Sequence, residues 1–316
     1  MGWWSHSTKR IGLPTRRRDA EAWLMAGMIS GVPAIMINSW LFPGIISTAI
    51  PNISEDNLFY LVVMISAPVG EEICKAIAIW FFASRIRSPK HGFQIGFTVG
   101  LGFAIIENLT YIAESSLGVF FSATILIRGI GSIPGHAFWT GLTGAAMGWT
   151  IMRTRAAAMQ LAAEAGHQIK APEKKESDWK LVDKDTGAVL DTPQAAVGGV
   201  AVTPSGVQIW VPTQEIITKK PWLTVPLPEK IVFGLLLAML GHATWNGAGI
   251  LLYLIAVDIE MSILAYVILE LFLTAILVTG VLIIGSGLLH SVREAPDGSE
   301  VDEYQAQLAE MTQQRF

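Results

Sequence analysis

The sequence predicts an all-α polytopic membrane protein, a helix bundle of about six transmembrane helices with a soluble insertion. Three observations predict it. The chain of 316 residues is 52% hydrophobic and only 15% charged, with a mean hydropathy of +0.47; a soluble domain carries nearer a quarter charged residues. Its apolar residues gather into runs of about 20 or more, the length needed to cross the hydrocarbon core. Its Lys and Arg residues fall in alternate connections between those runs.

The elements follow in order. Residues 1–20 are a basic tail carrying Lys9, Arg10, Arg16, Arg17 and Arg18. A first span covers about 21–48 and contains Pro33 and Pro43, which kink it or end it early. The next spans cover about 58–83, 92–112 and 131–152, so that residues 21–152 hold transmembrane helices 1–4. Residues 119–130 are also apolar, but Gly129, Gly131, Pro134 and Gly135 break the run, and a short interfacial or re-entrant piece is expected there. The connection 153–230 is the one sizeable soluble part. It opens on a helical stretch, MRTRAAAMQLAAEA, followed by KLVDKDTGAVLDT and VTPSGVQIWVP, which read as short β-hairpins around Thr-Gly and Ser-Gly turns. Residues 231–289 hold helices 5 and 6, at about 231–255 and 263–289. A polar, glutamine-rich tail, 290–316, closes the chain, and no internal repeat is visible.

Charge sets the orientation. The loop after the second span carries Arg85, Arg87 and Lys90, and the insertion and the C-terminal tail together hold twelve more Lys and Arg. The loops 49–57 and 256–262 hold only acids: Glu55, Asp56, Asp258 and Glu260. With six spans the positive-inside rule puts both termini and the 153–230 insertion in the cytoplasm of a multi-pass cell-membrane protein. Trp23, Trp40, Trp149 and Trp222 near span ends read as interface anchors. No cleavable signal peptide is expected, because the first apolar stretch is long and lacks a small-residue cleavage site. The single cysteine, Cys74, excludes an internal disulfide framework and reads as a small core residue. A net charge of −4 and the lack of a basic, aromatic-interleaved stretch argue against nucleic acid as a partner.

Ionisable residues inside a membrane are costly and usually functional. Here they fall on four spans. The second carries Glu71-Glu72-Ile73-Cys74-Lys75. The adjacent carboxylates lie about 100° apart on a helix, whereas Glu71 and Lys75, four apart, share a face. The third carries Glu107 and Asn108 after a glycine series, Gly92, Gly96, Gly100 and Gly102, that permits close helix packing. The fourth carries His136, with Trp139 and Thr140 after it. The fifth carries His242 and, one turn on, Asn246. An interhelical ion pair or hydrogen bonds alone would account for any one group, but two histidines in similar contexts beside a double-glutamate span point to a site. Arg128, beside the Gly/Pro break, is a supporting candidate with Lys75 and Asn108. Glu270 has no motif around it and reads as a structural or channel-lining group. His6, His91, His167 and His290 lie at or beyond span ends and read as solvated.

Peptide hydrolysis within a membrane needs water, a base and donors for the oxyanion. A desolvated Glu serves as general base, and His and Asn donate to the developing charge. No Ser/His dyad, G-x-S-x-G segment, aspartyl pair or H-E-x-x-H is present. Glu71, Glu107, His136 and His242 are also a possible ligand set, which leaves zinc and a metal-free mechanism both open.

EEICK, FAIIEN, HAFWTG and HATWN follow one another on successive spans. In this the chain resembles the PrsW family of intramembrane proteases, within the wider CAAX-protease superfamily. The resemblance covers roughly 60–250 apart from the insertion. It implies that Glu71 and Glu72 are the paired glutamates, one of which activates water, that Glu107 and Asn108 form the second motif, that His136 and His242 are the catalytic histidines, and that Asn246 is an oxyanion donor. Lys75 stands where the prenyl-CAAX branch has Arg, and Glu107 where it has His, which favours the PrsW branch. The substrate implied is a membrane-anchored protein of the anti-sigma-factor type, cut on the extracytoplasmic side. A proton-coupled transporter using the same Glu/His/Lys relay, or a non-catalytic membrane chaperone, are the competing functions. A depth is implied too: at 1.5 Å per residue Glu71 falls roughly 20 Å, and Glu107 roughly 8 Å, from the outer ends of their spans.

Overall fold

The computed structural model describes residues 11, 13, 15–115, 125–170, 181–182, 189–190, 199–202, 208–211 and 222–313. It is a helical protein with two compact units, residues 1–169 with 221–316, and residues 170–220. In the smaller unit, the described residues form two antiparallel pairs. β1 (Leu181–Val182) pairs with β2 (Val189–Leu190), and β3 (Gly199–Val202) with β4 (Gln208–Val211) in the register Gly199↔Val211. The Thr-Gly and Ser-Gly positions expected at the turns lie outside the described residues.

The larger unit is built from long rods. The first runs through α1 (Arg17–Met36), a π-helical turn π1 (Ile37–Leu41) and α2 (Phe42–Ala49). The second runs through α3 (Glu55–Leu61), π2 (Val62–Ser66) and α4 (Ala67–Trp80). Then come α5 (Pro89–Ser115), π3 (Ile127–Ser132) continuing into α6 (Ile133–Glu164), α7 (Ile231–Asp258), α8 (Ile263–Glu294) and α9 (Ser299–Gln313). The stretch MRTRAAAMQLAAEA is thus largely the continuation of α6, not a helix of its own. Of the apolar run 119–130, residues 119–124 lie outside the described residues and 127–130 are part of π3.

Among the described residues, four helical rods are long and apolar enough to cross a membrane: Arg17–Ala49, Pro89–Ser115, Ile231–Asp258 and Ile263–Glu294. The two further rods expected as spans are α3–π2–α4 and α6. These carry Glu71, Glu72 and Lys75 in one case, and a Gly/Thr-rich face with His136 in the other. Their lower apolarity is set by the polar residues they bring to the interior.

All three π turns stand just before a proline. Pro43, Pro68 and Pro134 have no N–H to give to the carbonyl four residues earlier, and the ring clashes with it. Those carbonyls belong to Ser39, Met64 and Ile130, one in each π turn. The helix accommodates the lost bond by widening for one turn, which rotates the side chains beyond it relative to those before.

α5 is the central helix, buried without interruption from Gly92 to Ala104. Its glycines permit this. A Cβ at Gly92, Gly96 or Gly100 would collide with the carbonyl of Gly144, Thr140 or His136 of α6, and a Cβ at Gly102 with that of Leu24 of α1. The helices therefore meet backbone to backbone, as small residues at fourfold spacing allow. Phe93, Phe97, Phe138 and Leu288 fill one core beside this seam. The exposed faces carry Ile29, Trp40, Phe81, Leu240 and Phe272, a surface suited to lipid. Ser54 and Ser262 cap α3 and α8, their hydroxyls accepting from the N–H of Asn57 and Ala265. At the start of α9, Ser299 donates its N–H and its hydroxyl to Asp297, which holds that carboxyl below the usual carboxylate range.

Candidate active site

α4 places two adjacent carboxylates on different sides of one helix turn, and the partners of each differ. Glu72 is fully engaged. Its Oε1 lies 2.6 Å from Lys75 Nζ and 3.2 Å from His242 Nδ1, and its Oε2 accepts from the Thr140 hydroxyl at 3.3 Å. Lys75 is itself wholly buried. It reaches His136 Nδ1 at 2.8 Å and lies 3.9 Å from the centre of the Phe103 ring. Glu71 is hydrogen-bonded on one oxygen only. Its Oε1 accepts from Asn38 Nδ2 at 3.0 Å, while its Oε2 is buried without a hydrogen bond, 3.6 Å from His242 Nε2 and 3.9 Å from the Lys75 ammonium.

α5 and α6 supply the other half. Glu107 Oε2 lies 2.8 Å from His136 Nε2, and its Oε1 2.6 Å from an Arg128 guanidinium nitrogen. Arg128 comes from π3 and also covers the ring of Tyr111 at 3.9 Å. The Asn108 amide donates to the Arg128 carbonyl at 2.8 Å, and its Oδ1 accepts from the Ser132 hydroxyl at 2.7 Å, which ties π3 to α5. His136 and His242 approach to 4.8 Å between ring centroids, and the Trp139 ring stacks on His242 at 5.4 Å.

The network assigns the histidine protons, since an ammonium only donates. Lys75 makes His136 Nδ1 an acceptor, so the proton of a neutral ring sits on Nε2 and is donated to Glu107. Glu72, as a carboxylate, makes His242 Nδ1 the donor, so His242 Nε2 presents a lone pair. That lone pair and Glu71 Oε2 are two buried acceptors aimed at one space. Around it, three carboxylates (Glu71, Glu72, Glu107) face two cations (Lys75, Arg128), and the excess negative charge favours a proton or a metal ion there.

A metal fits this donor set. Glu71, His136 and His242 each offer a ligand atom, all within 4.8 Å of one another. The Glu71 Oε2 to His242 Nε2 distance of 3.6 Å is close to the roughly 3.3 Å between two ligands of a tetrahedral ion bound at about 2.0–2.1 Å. Glu72 on the far nitrogen of His242 is the outer partner that metal-bound histidines commonly have. His136 would join as its other neutral tautomer, with the proton moved from Nε2 to Nδ1 and the Lys75 donation there given up.

Of the residues singled out in the sequence, the structure brings together Glu71, Glu72, Lys75, Glu107, His136 and His242, with Arg128 and Asn108 holding the Glu107 side. Asn246 lies one turn after His242 on α7. Its Nδ2 donates to the Val63 carbonyl in π2 at 3.0 Å. Glu107 and Glu71 are linked through the two histidines, Glu107 to His136 at 2.8 Å and Glu71 to His242 at 3.6 Å, with the rings 4.8 Å apart. Two site residues escaped the sequence reading. Thr140 was visible only as part of a motif. Asn38 was not visible as a candidate, although an amide in the middle of the apolar run IMINSW was a signal.

Residues 20–169 match the model of a family described as PrsW family intramembrane metalloprotease. No curated protein and no solved structure matches the chain. The match covers just under half of the chain and makes that segment similar to a PrsW-type protease domain, a family whose activity class is intramembrane peptide hydrolysis. It contains EEICK, FAIIEN and HAFWTG and ends before α7. The fourth motif, HATWN, lies beyond it, and the contact between His242 and Glu72 is what joins that motif to the other three.

Proposed function

We propose that this protein is an endopeptidase that hydrolyses a peptide bond in or near the transmembrane segment of a membrane-anchored protein, with Glu71 activating the water. The observation that carries the reading is the asymmetry of the two glutamates. Glu72 has both oxygens hydrogen-bonded, whereas Glu71 keeps Oε2 free of hydrogen bonds beside the lone pair of His242 Nε2, with the Lys75 ammonium 3.9 Å away. A water bonded to both acceptors gives a proton to Glu71 as it attacks the scissile carbonyl. His242 is oriented by Glu72, and Lys75 neutralises Glu72. The oxyanion is stabilised from the His136 side, where Lys75 and Arg128 concentrate positive charge, and by Asn246, whose amide nitrogen has a second N–H besides the one on Val63. After collapse, Glu71 returns the proton to the leaving amine. If the site is loaded with a divalent ion such as zinc, Glu71, His136 and His242 would hold it, and it would supply Lewis-acid polarisation of the carbonyl.

The topology belongs to the same proposal. Six spans, with α3–π2–α4 and α6 completing the four more apolar rods, place both termini and the 153–230 connection in the cytoplasm. The acid-only loops 49–57 and 256–262 support this. The glycine-seamed half of α5, Gly92 to Ala104, then faces the cytoplasm, and its less buried half faces outward. An extracytoplasmic cut in an anti-sigma-factor-type substrate accords with that opening.

The test is cleavage of a single-span substrate in proteoliposomes by the wild-type protein beside Glu71→Gln, each with and without a chelator. Cleavage by the wild type and none by Glu71→Gln is expected. Chelator sensitivity, reversed by zinc, would assign the metal-bound form. Wild-type rates for Glu71→Gln would overturn the proposal.

A further inference from the structure

We infer that Asn38 is a positioning residue for Glu71, contributed by the first transmembrane rod to a site whose motifs all lie on later helices. The inference rests on the reading that Glu71 activates water, and it deepens that reading. Asn38 follows Ala34 by one turn, on the face of α1 that buries Trp23, Gly27, Ser30, Gly31 and Ala34 against the bundle. The π turn imposed by Pro43 begins at Ile37, so the side chain of Asn38 is aimed by a widened turn. The neighbouring helix makes room for it at Gly70, the residue just before Glu71. A Cβ there would meet the Phe42 ring and Ile37, and would come within 3.4 Å of Asn38 Oδ1.

The terminal torsion of a glutamate is soft, with no sharply preferred rotamer. An unheld Glu71 carboxylate would turn and present either oxygen, or an edge between them, to the water. The Asn38 N–H fixes Oε1 at 3.0 Å and leaves Oε2 as the oxygen facing His242 Nε2. The orientation of the amide is fixed by the same contact. Its Oδ1 is buried without a partner, and exchanging it with Nδ2 would set two acceptors against each other. Asn38 therefore acts through Glu71 and does not touch the reacting bond.

The test compares Asn38→Leu, Asn38→Asp and Asn38→Gln in the full-length protein, in proteoliposomes with the same single-span substrate, with melting temperatures measured alongside. Asn38→Leu keeps the volume and removes the donor. Asn38→Asp keeps the shape and sets an acceptor against Oε1. Both should lower kcat about tenfold or more with KM changed less than about twofold, since a charge-assisted hydrogen bond is lost from the group that reacts. Asn38→Gln restores a donor and should recover much of the loss. Wild-type kcat in both Asn38→Leu and Asn38→Asp would overturn the inference. So would a kcat loss that Asn38→Gln does not relieve and that tracks the melting temperature, which marks a packing role. Glu71→Gln separates the two levels: if it stays fully active, or the wild type does not cleave, the glutamate reading itself has failed.

Discussion

Lys75 is fully buried between Glu72 and His136. A buried cation persists only with a partner, because removing one member of such a pair strands the other charge at a cost of about 3–5 kcal/mol. Lys75→Met should therefore destabilise the protein strongly, and Lys75→Met combined with Glu72→Gln should recover much of that stability. Thermal unfolding in detergent reads both. Equal destabilisation by the single and double variants would show that Lys75 does not act through Glu72. Activity is expected to remain low in the double variant, since His242 loses the carboxylate that orients it. Similar reasoning applies to His242→Ala and His136→Ala, which should each cost about 10² or more in rate. Wild-type rates with only a lowered melting temperature would make those rings structural.

At the scale of elements, the site depends on helices that meet backbone to backbone and on turns that leave the regular α-helical pattern. Gly100 lies against the His136 carbonyl, so Gly100→Val should push α6 away at the level of His136. A displacement near 1 Å at a catalytic group is enough for a loss of roughly 10²-fold. Gly249, which has open space around its Cα, is the control, and Gly249→Ala should leave the rate unchanged. Rates near wild type for Gly100→Val would mean that the seam tolerates what its geometry forbids. The elements also show what the sequence could disclose. The apolar runs gave the rods to within a few residues, except that α6 continues to Glu164 past the expected end at 152, and the glycines at 92, 96 and 100 announced a close helix contact without naming its partner. The π turns stayed hidden: the pattern reads Pro43 as a kink and Pro134 as a break, and Pro68 drew no reading. Where the widened turns would aim Asn38 and Arg128 was not legible. Glu71, Glu72, Glu107, His136 and His242 were legible because each is costly in lipid and has no apolar role. Asn38 had only the first of those signals. Asn246 had both, yet the structure gives its amide to a carbonyl of π2.

For the whole molecule, separability and sidedness are the properties to test. Residues 170–220 form a compact unit of their own and carry none of the four motifs. Replacing residues 172–218 with a flexible linker should preserve basal hydrolysis. Complete loss in a stably inserted deletion protein would place part of the site there. Sidedness follows from where the bundle is open. α5 is buried from Gly92 to Ala104 and mostly exposed or half-buried from Ile105 to Ser115, and the proposed entry for water and substrate is the Ser115 end. If that end is extracytoplasmic, the substrate is cut in the outer half of its transmembrane segment or just beyond it, after local unwinding exposes the bond. Mass spectrometry of the products locates the cut. The single native cysteine, Cys74, is buried, so Cys74→Ala removes background labelling. Engineered cysteines at Asn52 and Arg87 then report the two faces. Asn52→Cys should react with an impermeant maleimide added outside intact cells, and Arg87→Cys only after the membrane is opened. Labelling in the opposite sense, or a scissile bond in the cytoplasmic half, would overturn the orientation and with it the extracytoplasmic role.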